Sequence, residues 1–99
     1  MTIQEILEST GLPCAYFHFK TKQEPPFIVY YGDGQYNFNA DDTFYYSYNE
    51  YRIEYYYKLK NERNEAAIET ALLSAGYQYE KSEDVYIQSQ NVFVIYYYI

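Results

Sequence analysis

Cys14 and His18 form the first pair of residues whose types could do chemistry. A cysteine beside a histidine base is a nucleophile, and the run CAYFHF holds both. In a strand they share a face, but four extended residues set them about 13 Å apart. That is beyond direct contact, so Cys14 reads as a small buried hydrophobe. His18 is the chain's 1 histidine, with no cysteine or histidine partner to complete a metal site. Asp33, Asp41 and Asp42 could gather around a divalent cation if the 32–42 loop folded back. Their spacing matches no EF-hand, and they read as solvated turn acids. Gly32-Asp33-Gly34 lacks the lysine and following helix of a phosphate loop. Glu50 and Glu54 share the polar face of one strand, as paired acid–base carboxylates would. Arg52 stands between them and makes the set read as a surface charge ladder. No catalytic residue, metal site or cofactor is predicted. The surfaces must therefore carry the function.

Those surfaces belong to strands and two helices. The central stretch is Thr43–Leu59, TFYYSYNEYRIEYYYKL. From Tyr51 onward Tyr51, Ile53, Tyr55, Tyr57 and Leu59 alternate with Arg52, Glu54, Tyr56 and Lys58, the pattern of a half-buried strand. Its odd face needs a cover, and Ile53 and Leu59 are expected under the helix residues Ile68 and Leu72. Thr2-Ile3-Gln4-Glu5 fits a capping box opening a short helix over 2–10, closed by Gly11 and Pro13. Asn61 is the N-cap candidate of a second helix with Glu62 and Glu65 in its first turn. Ile68, Ala71, Leu72 and Ala75 mark its buried stripe, and Gly76 ends it. Strands are expected at 14–19, 27–31, 36–40, 43–59, 77–80 and 92–99, with a turn at Gly32–Gly34. Val85–Ile87 reads as a short strand or an irregular piece. VFVIYYYI at the end is apolar on both faces and carries neither charge nor proline. It must lie inside the sheet or offer its edge to another subunit. The prediction is a single α+β domain over 1–99: a mixed, mainly antiparallel sheet, both helices on one face, order α-β-β-β-β-α-β-β.

Composition narrows the partners. Of 99 residues 48% are hydrophobic, but 17 are Tyr, which tolerates water at its hydroxyl end. A modest aliphatic core rimmed by aromatics follows, a surface suited to protein contact. An AT-rich genome also favours Tyr, Asn and Ile, so part of the excess reads as compositional. The net charge of −7 argues against direct nucleic-acid binding and against anionic membranes. The lone Cys14 rules out an internal disulfide and points to a reducing compartment. MTIQEILEST does not read as a secretion signal, and no apolar run nears the roughly 20 residues of a membrane helix.

Several pieces together carry a resemblance. They are the opening helix with Gly11-Leu12-Pro13, then Ala15-Tyr16, Pro25-Pro26-Phe27-Ile28-Val29-Tyr30, Tyr51-Arg52-Ile53-Glu54-Tyr55-Tyr56, the Glu-rich helix to Gly76, and the closing strand. The chain resembles small proteins encoded in the head–tail gene clusters of tailed phages and prophages of low-GC Gram-positive bacteria, and its element order resembles the tail terminator (tail completion) fold. The resemblance implies a non-enzymatic virion protein, made in the host cytoplasm and placed at the head–tail junction. It implies a homo-hexameric ring that caps the tail tube, with the major tail tube protein and a head connector or completion protein as partners. A head–tail joining or minor capsid role and a small acidic monomeric binding module are the alternatives. A ring needs a heterologous interface. The expected material is the even face of the long strand, Phe44, Tyr46, Tyr48, Arg52, Tyr56 and Lys58, with Asp33, Asp41 and Asp42 toward a lumen or the tube.

Overall fold

The structure, a computed structural model, describes residues 2–40 and 44–99; for 33–40 and 44–50 it describes the backbone. Helix α1 spans Ile3–Glu8. The Thr2 hydroxyl accepts from the Glu5 amide at 3.2 Å, and the Glu5 carboxylate accepts from the Thr2 amide at 2.8 Å. This is the expected capping box. Strand β1 covers Cys14–Tyr16, β2 Phe27–Ala40 and β3 Phe44–Tyr57. Helix α2 covers Glu62–Ser74, followed by β4 Glu80–Lys81, β5 Val85–Ile87 and β6 Val92–Tyr98.

The class is α+β, with six strands in one mixed, mostly antiparallel sheet. Strand β1 is parallel to β2; β3 pairs antiparallel with β2 and β6; β4 and β5 both pair with β6. The elements follow in the expected order with two local differences. Residues 27–31 and 36–40 run as one strand, because Gly32–Gly34 absorbs one extra residue as a bulge in β2 instead of turning. Val85–Ile87 is a strand in its own right. The terminal run is interior, as its two apolar faces require: β3 lies along one side of β6, β4 and β5 along the other.

Alternation then divides the sheet. Ile28 and Tyr30 of β2, Ile53, Tyr55 and Tyr57 of β3, and Ile95 and Tyr97 of β6 lie in one cluster with Ile3, Ile6 and Leu7 of α1 and Ile68 and Leu72 of α2. Both helices therefore cover the same face. Leu59, expected in this core, is 84% exposed. Strand β3 stops at Tyr57, and the chain turns away toward Asn61 before Leu59 can reach the sheet. Ala75 is exposed for a similar reason, since α2 ends at Ser74. Gly76, at φ +89, closes α2 in a Schellman motif. Its amide donates to the Leu73 carbonyl at 3.0 Å, and the Tyr77 amide donates to Leu72 at 3.0 Å.

Polar side chains fix both helices on the sheet. The Gln4 carbonyl oxygen accepts from the Tyr30 hydroxyl at 2.8 Å, and its amide lies 3.3 Å from Cys14 Sγ. The Asn64 amide donates to the Tyr55 hydroxyl at 3.1 Å. Beneath α2, buried Glu65 meets Lys81 Nζ at 3.0 Å and Lys60 Nζ at 2.8 Å, the latter an ion pair by distance rather than by hydrogen-bond direction. Lys81 also reaches Glu69 at 2.8 Å, and Glu69 accepts from Tyr97 at 2.8 Å and Tyr79 at 3.2 Å. A carboxylate buried among paired cations and hydroxyls avoids most of the cost of desolvation.

Candidate protein interaction face

The opposite face of the sheet carries no helix, and its side chains follow from the register. Tyr31 of β2, Arg52 of β3 and Tyr98 of β6 lie side by side across the three strands. The Arg52 guanidinium stands 4.7 Å over the Tyr31 ring, a cation–π contact. Arg52 Nε donates to Glu54 Oε2 at 3.1 Å, and the Tyr56 hydroxyl donates to Glu54 Oε1 at 2.7 Å. Glu54 is only 6% exposed, so both its oxygens are engaged where a lone carboxylate would be costly. The consequence for Arg52 is orientation. A planar guanidinium held by a carboxylate and a ring is already ordered before any partner arrives, which lowers the entropy cost of binding. Burial, and then the Glu54 carboxylate, push the Tyr56 hydroxyl pKa well above its ordinary value. The phenol therefore stays a donor at neutral pH.

Phe17 extends the row outward from Tyr31, with ring centroids 4.9 Å apart. It sits at φ 70, and the His18 amide donates to the Tyr16 carbonyl at 2.8 Å across it. This is a γ-turn of the rare positive-φ kind. A bulky aromatic held there costs of order 1–3 kcal/mol and is a pointer to function. The turn also explains why the expected strand over 14–19 ends at Tyr16. Phe17 is 57% exposed and Tyr98 44%. Aromatics and an anchored arginine in one patch are the composition of an interface hot spot.

From Phe17 and Tyr31 a groove of about 260 Å³ runs along this face to Phe19, Phe27 and Tyr56. The Phe27 and Tyr56 rings stack at 5.1 Å, and Phe19 meets Phe27 edge-on at 5.4 Å. A neighbouring recess of about 430 Å³ shares Phe27, Gln23 and Gln90 and is bordered by Lys22, Glu24 and Lys58. The segment from Phe17 to Gln23 supplies one wall, so this face is covered in part by chain without regular structure.

At the other end, β2 and β3 continue past the sheet. Gly34–Ala40 and Phe44–Glu50 pair only with each other among the described residues. At about 3.4 Å per residue, this two-stranded arm is roughly 20 Å long.

The expected site residues separate accordingly. Arg52 and Tyr56 come together on this face through Glu54. Tyr56 is not the open contact residue expected, because Phe27 stacks on it and the 17–23 segment lies alongside, leaving it half-buried. Lys58 is exposed, one residue past the end of β3. Asp33 is the extra residue of the bulge; Phe44, Tyr46 and Tyr48 pair in register with Ala40, Phe38 and Tyr36. Asp41 and Asp42 lie outside the described residues. The charge ladder at Glu54 is a buried pair instead, since Glu54 is covered where a surface ladder would be open. Cys14 and His18 lie on different segments. Burial, and then Glu8, push the Cys14 thiol above its ordinary range, and exposed His18 has its Nδ1 beside the Phe19 carbonyl. Among the described residues no three of His, Cys, Asp and Glu gather as metal ligands, and no helix is long and apolar enough to cross a membrane. Sequence reasoning missed Phe17, Tyr31 and Tyr98. Period-2 counting from Phe27 and from Val92 carried the signal for Tyr31 and Tyr98, whereas Phe17 depends on a turn with no sequence signature.

Compared with known proteins, the chain matches no family model and no curated protein.

Proposed function

We propose that this chain is a non-enzymatic assembly protein that works by contact through the helix-free face of its sheet. The observation that carries the reading is the row Phe17, Tyr31, Arg52 and Tyr98, with Arg52 fixed from beneath by buried Glu54. The resemblance to phage head–tail cluster proteins supplies the specific place: a tail terminator, forming a homo-oligomeric ring at the head–tail junction. The major tail tube protein and the head connector or completion protein are then its partners, no cofactor is involved, and it acts in the virion after synthesis in the bacterial cytoplasm. A chain with different features at its two ends, an arm and a groove, supports a heterologous, ring-closing contact.

Electron microscopy of particles made without the protein tests the placement. Tails that overgrow or vary in length are the expected result. Uniform tails of normal length joined to heads would overturn the terminator reading, and uniform tails lacking heads would replace it with a head–tail joining role. The face itself is tested with Phe17→Ala/Tyr98→Ala. Both side chains are exposed and outside the core cluster, so the variant should fold while its self-association or tube binding weakens at least about tenfold, or 1.4 kcal/mol. Unchanged binding by light scattering would remove this face from the reading.

A further inference from the structure

We propose that the β2–β3 arm of one copy docks across the aromatic groove and the adjoining lysine-flanked recess of a second copy. The inference rests on the self-assembly part of the proposed function and not on the phage placement. Charge identifies the occupant. The sequence from Asp33 to Glu50 contains Asp33, Asp41, Asp42 and Glu50 and none of the chain's 7 Lys and Arg residues. Two such arms pairing with each other would set acid against acid, so arm-to-arm addition is disfavoured. The groove has the opposite balance in an otherwise acidic molecule. Lys22 and Lys58 border the recess that adjoins it through Phe27, Lys20 is two residues from Lys22, and Glu24 is the single acid beside them. The other lysines are committed elsewhere: Lys60 and Lys81 lie in the network beneath α2. Among the described residues Lys20 and Lys58 have no ion pair, and Lys22 meets Glu24 only at 4.0 Å with both side chains largely exposed.

Shape and composition agree with charge. The groove floor is Phe19, Phe27 and Tyr56, and the arm sequence carries Tyr36, Phe38, Phe44, Tyr45, Tyr46 and Tyr48. An isolated two-stranded hairpin is marginal in water and gains from packing on a third surface. The arm also lacks lysine and proline, the residues that guard a sheet edge against pairing. The lysine-bordered recess lies where β2 begins and β3 ends, whereas the arm lies where β2 ends and β3 begins. Arm and recess thus occupy opposite ends of the same two strands, and their union is head-to-tail. That geometry closes into a ring when the rotation allows and grows as a filament when it does not.

Two broken copies test it. In the first, Lys22→Glu/Lys58→Glu spoils the groove and leaves the arm; in the second, residues 35–49 are replaced by Asn-Gly, leaving the groove. By light scattering each should be monomeric alone, and an equimolar mixture should give a complex of two chains and no more, since only one intact arm–groove pair can form. An arm-shortened chain that assembles like the wild type overturns the proposal, as does a mixture that stays monomeric while both variants unfold cooperatively in urea. The unaltered chain provides a check independent of variant folding. Its self-association should weaken at least about tenfold from roughly 0.05 to 0.5 M salt, because exposed charges are screened over that range. Association indifferent to salt overturns the charge-matched contact while leaving self-assembly standing. A wild-type chain monomeric at every concentration overturns both.

Discussion

Glu54 shows how one buried carboxylate can organise a face. It lies on the even side of β3, where alternation predicts a solvated charge, yet it is covered. Arg52 and Tyr56, two residues to either side, each give it a hydrogen bond. The same three residues would be an open ladder if nothing lay over the strand. Tyr56→Phe keeps the ring on Phe27 but removes a donor to a buried charge. It should cost about 1–3 kcal/mol, read as a lower urea midpoint with an unchanged slope. A variant as stable as wild type would mean that water replaces the hydroxyl. Tyr56→Glu should destabilise more, since it removes the donor to buried Glu54 and places a second carboxylate beside it. Phe17 and Tyr98 are therefore the cleaner probes of contact, since changing Tyr56 also disturbs Glu54.

Elements with local signals formed where the sequence put them. The Asn61 side chain accepts from the Arg63 amide at 3.0 Å and the Asn64 amide at 3.3 Å, so α2 begins where its N-cap predicts. Asn61→Ala should cost about 1 kcal/mol, measured by thermal or urea unfolding. A loss below a few tenths would mean that the Lys60–Glu65 and Lys81–Glu65 pairs hold the first turns without the cap. The strands were legible by period but not by extent. Tyr77 and Tyr79 alternate like strand residues, yet they pack on the core cluster while the strand is only Glu80–Lys81. The reason is pairing: Glu80 already lies opposite Tyr98, the last residue of β6, and alternation carries no information about where a partner runs out.

At the scale of the whole molecule, hydrogen-bonded ionisable groups titrating on both sides of neutrality bound the range of stability. Burial alone would raise the Glu69 carboxyl, but Lys81, Tyr97 and Tyr79 hold it below the ordinary carboxylate range. Hydrogen bonding from Tyr57 does the same for Asp84. A depressed carboxylate contributes stability that is complete above its unfolded pKa, about 4, and is lost as pH falls through its folded value. Burial, followed by Asp84, pushes Tyr57 up to about 12, and burial with Glu69 raises Tyr97 further. A raised group contributes stability that is complete below its unfolded pKa, about 10, and disappears as pH climbs toward its folded value. The urea midpoint should therefore be level from about pH 5 to 9, fall below it, and fall more steeply above about pH 10. A midpoint unchanged between about pH 9 and 12 would show these phenols to be solvated.

The sequence by itself determined the α+β class, the capping box, both ends of α2 and the alternation of β3, and narrowed the last strand to an interior place or a shared edge. Each depends on neighbours within a few residues, through backbone capping or a side-chain period. Tertiary structure decided what alternation cannot express: which chain covers the second face, that Glu54 is buried, that Gly32–Gly34 is a bulge instead of a turn, and that Phe17 stands in a strained turn over Tyr31. Those depend on contacts between segments distant in sequence, where the side chain that ends a strand or buries a charge belongs to another part of the chain. The residues that first invited chemistry, Cys14 and His18, proved the least informative, and an anchored arginine among aromatics the most.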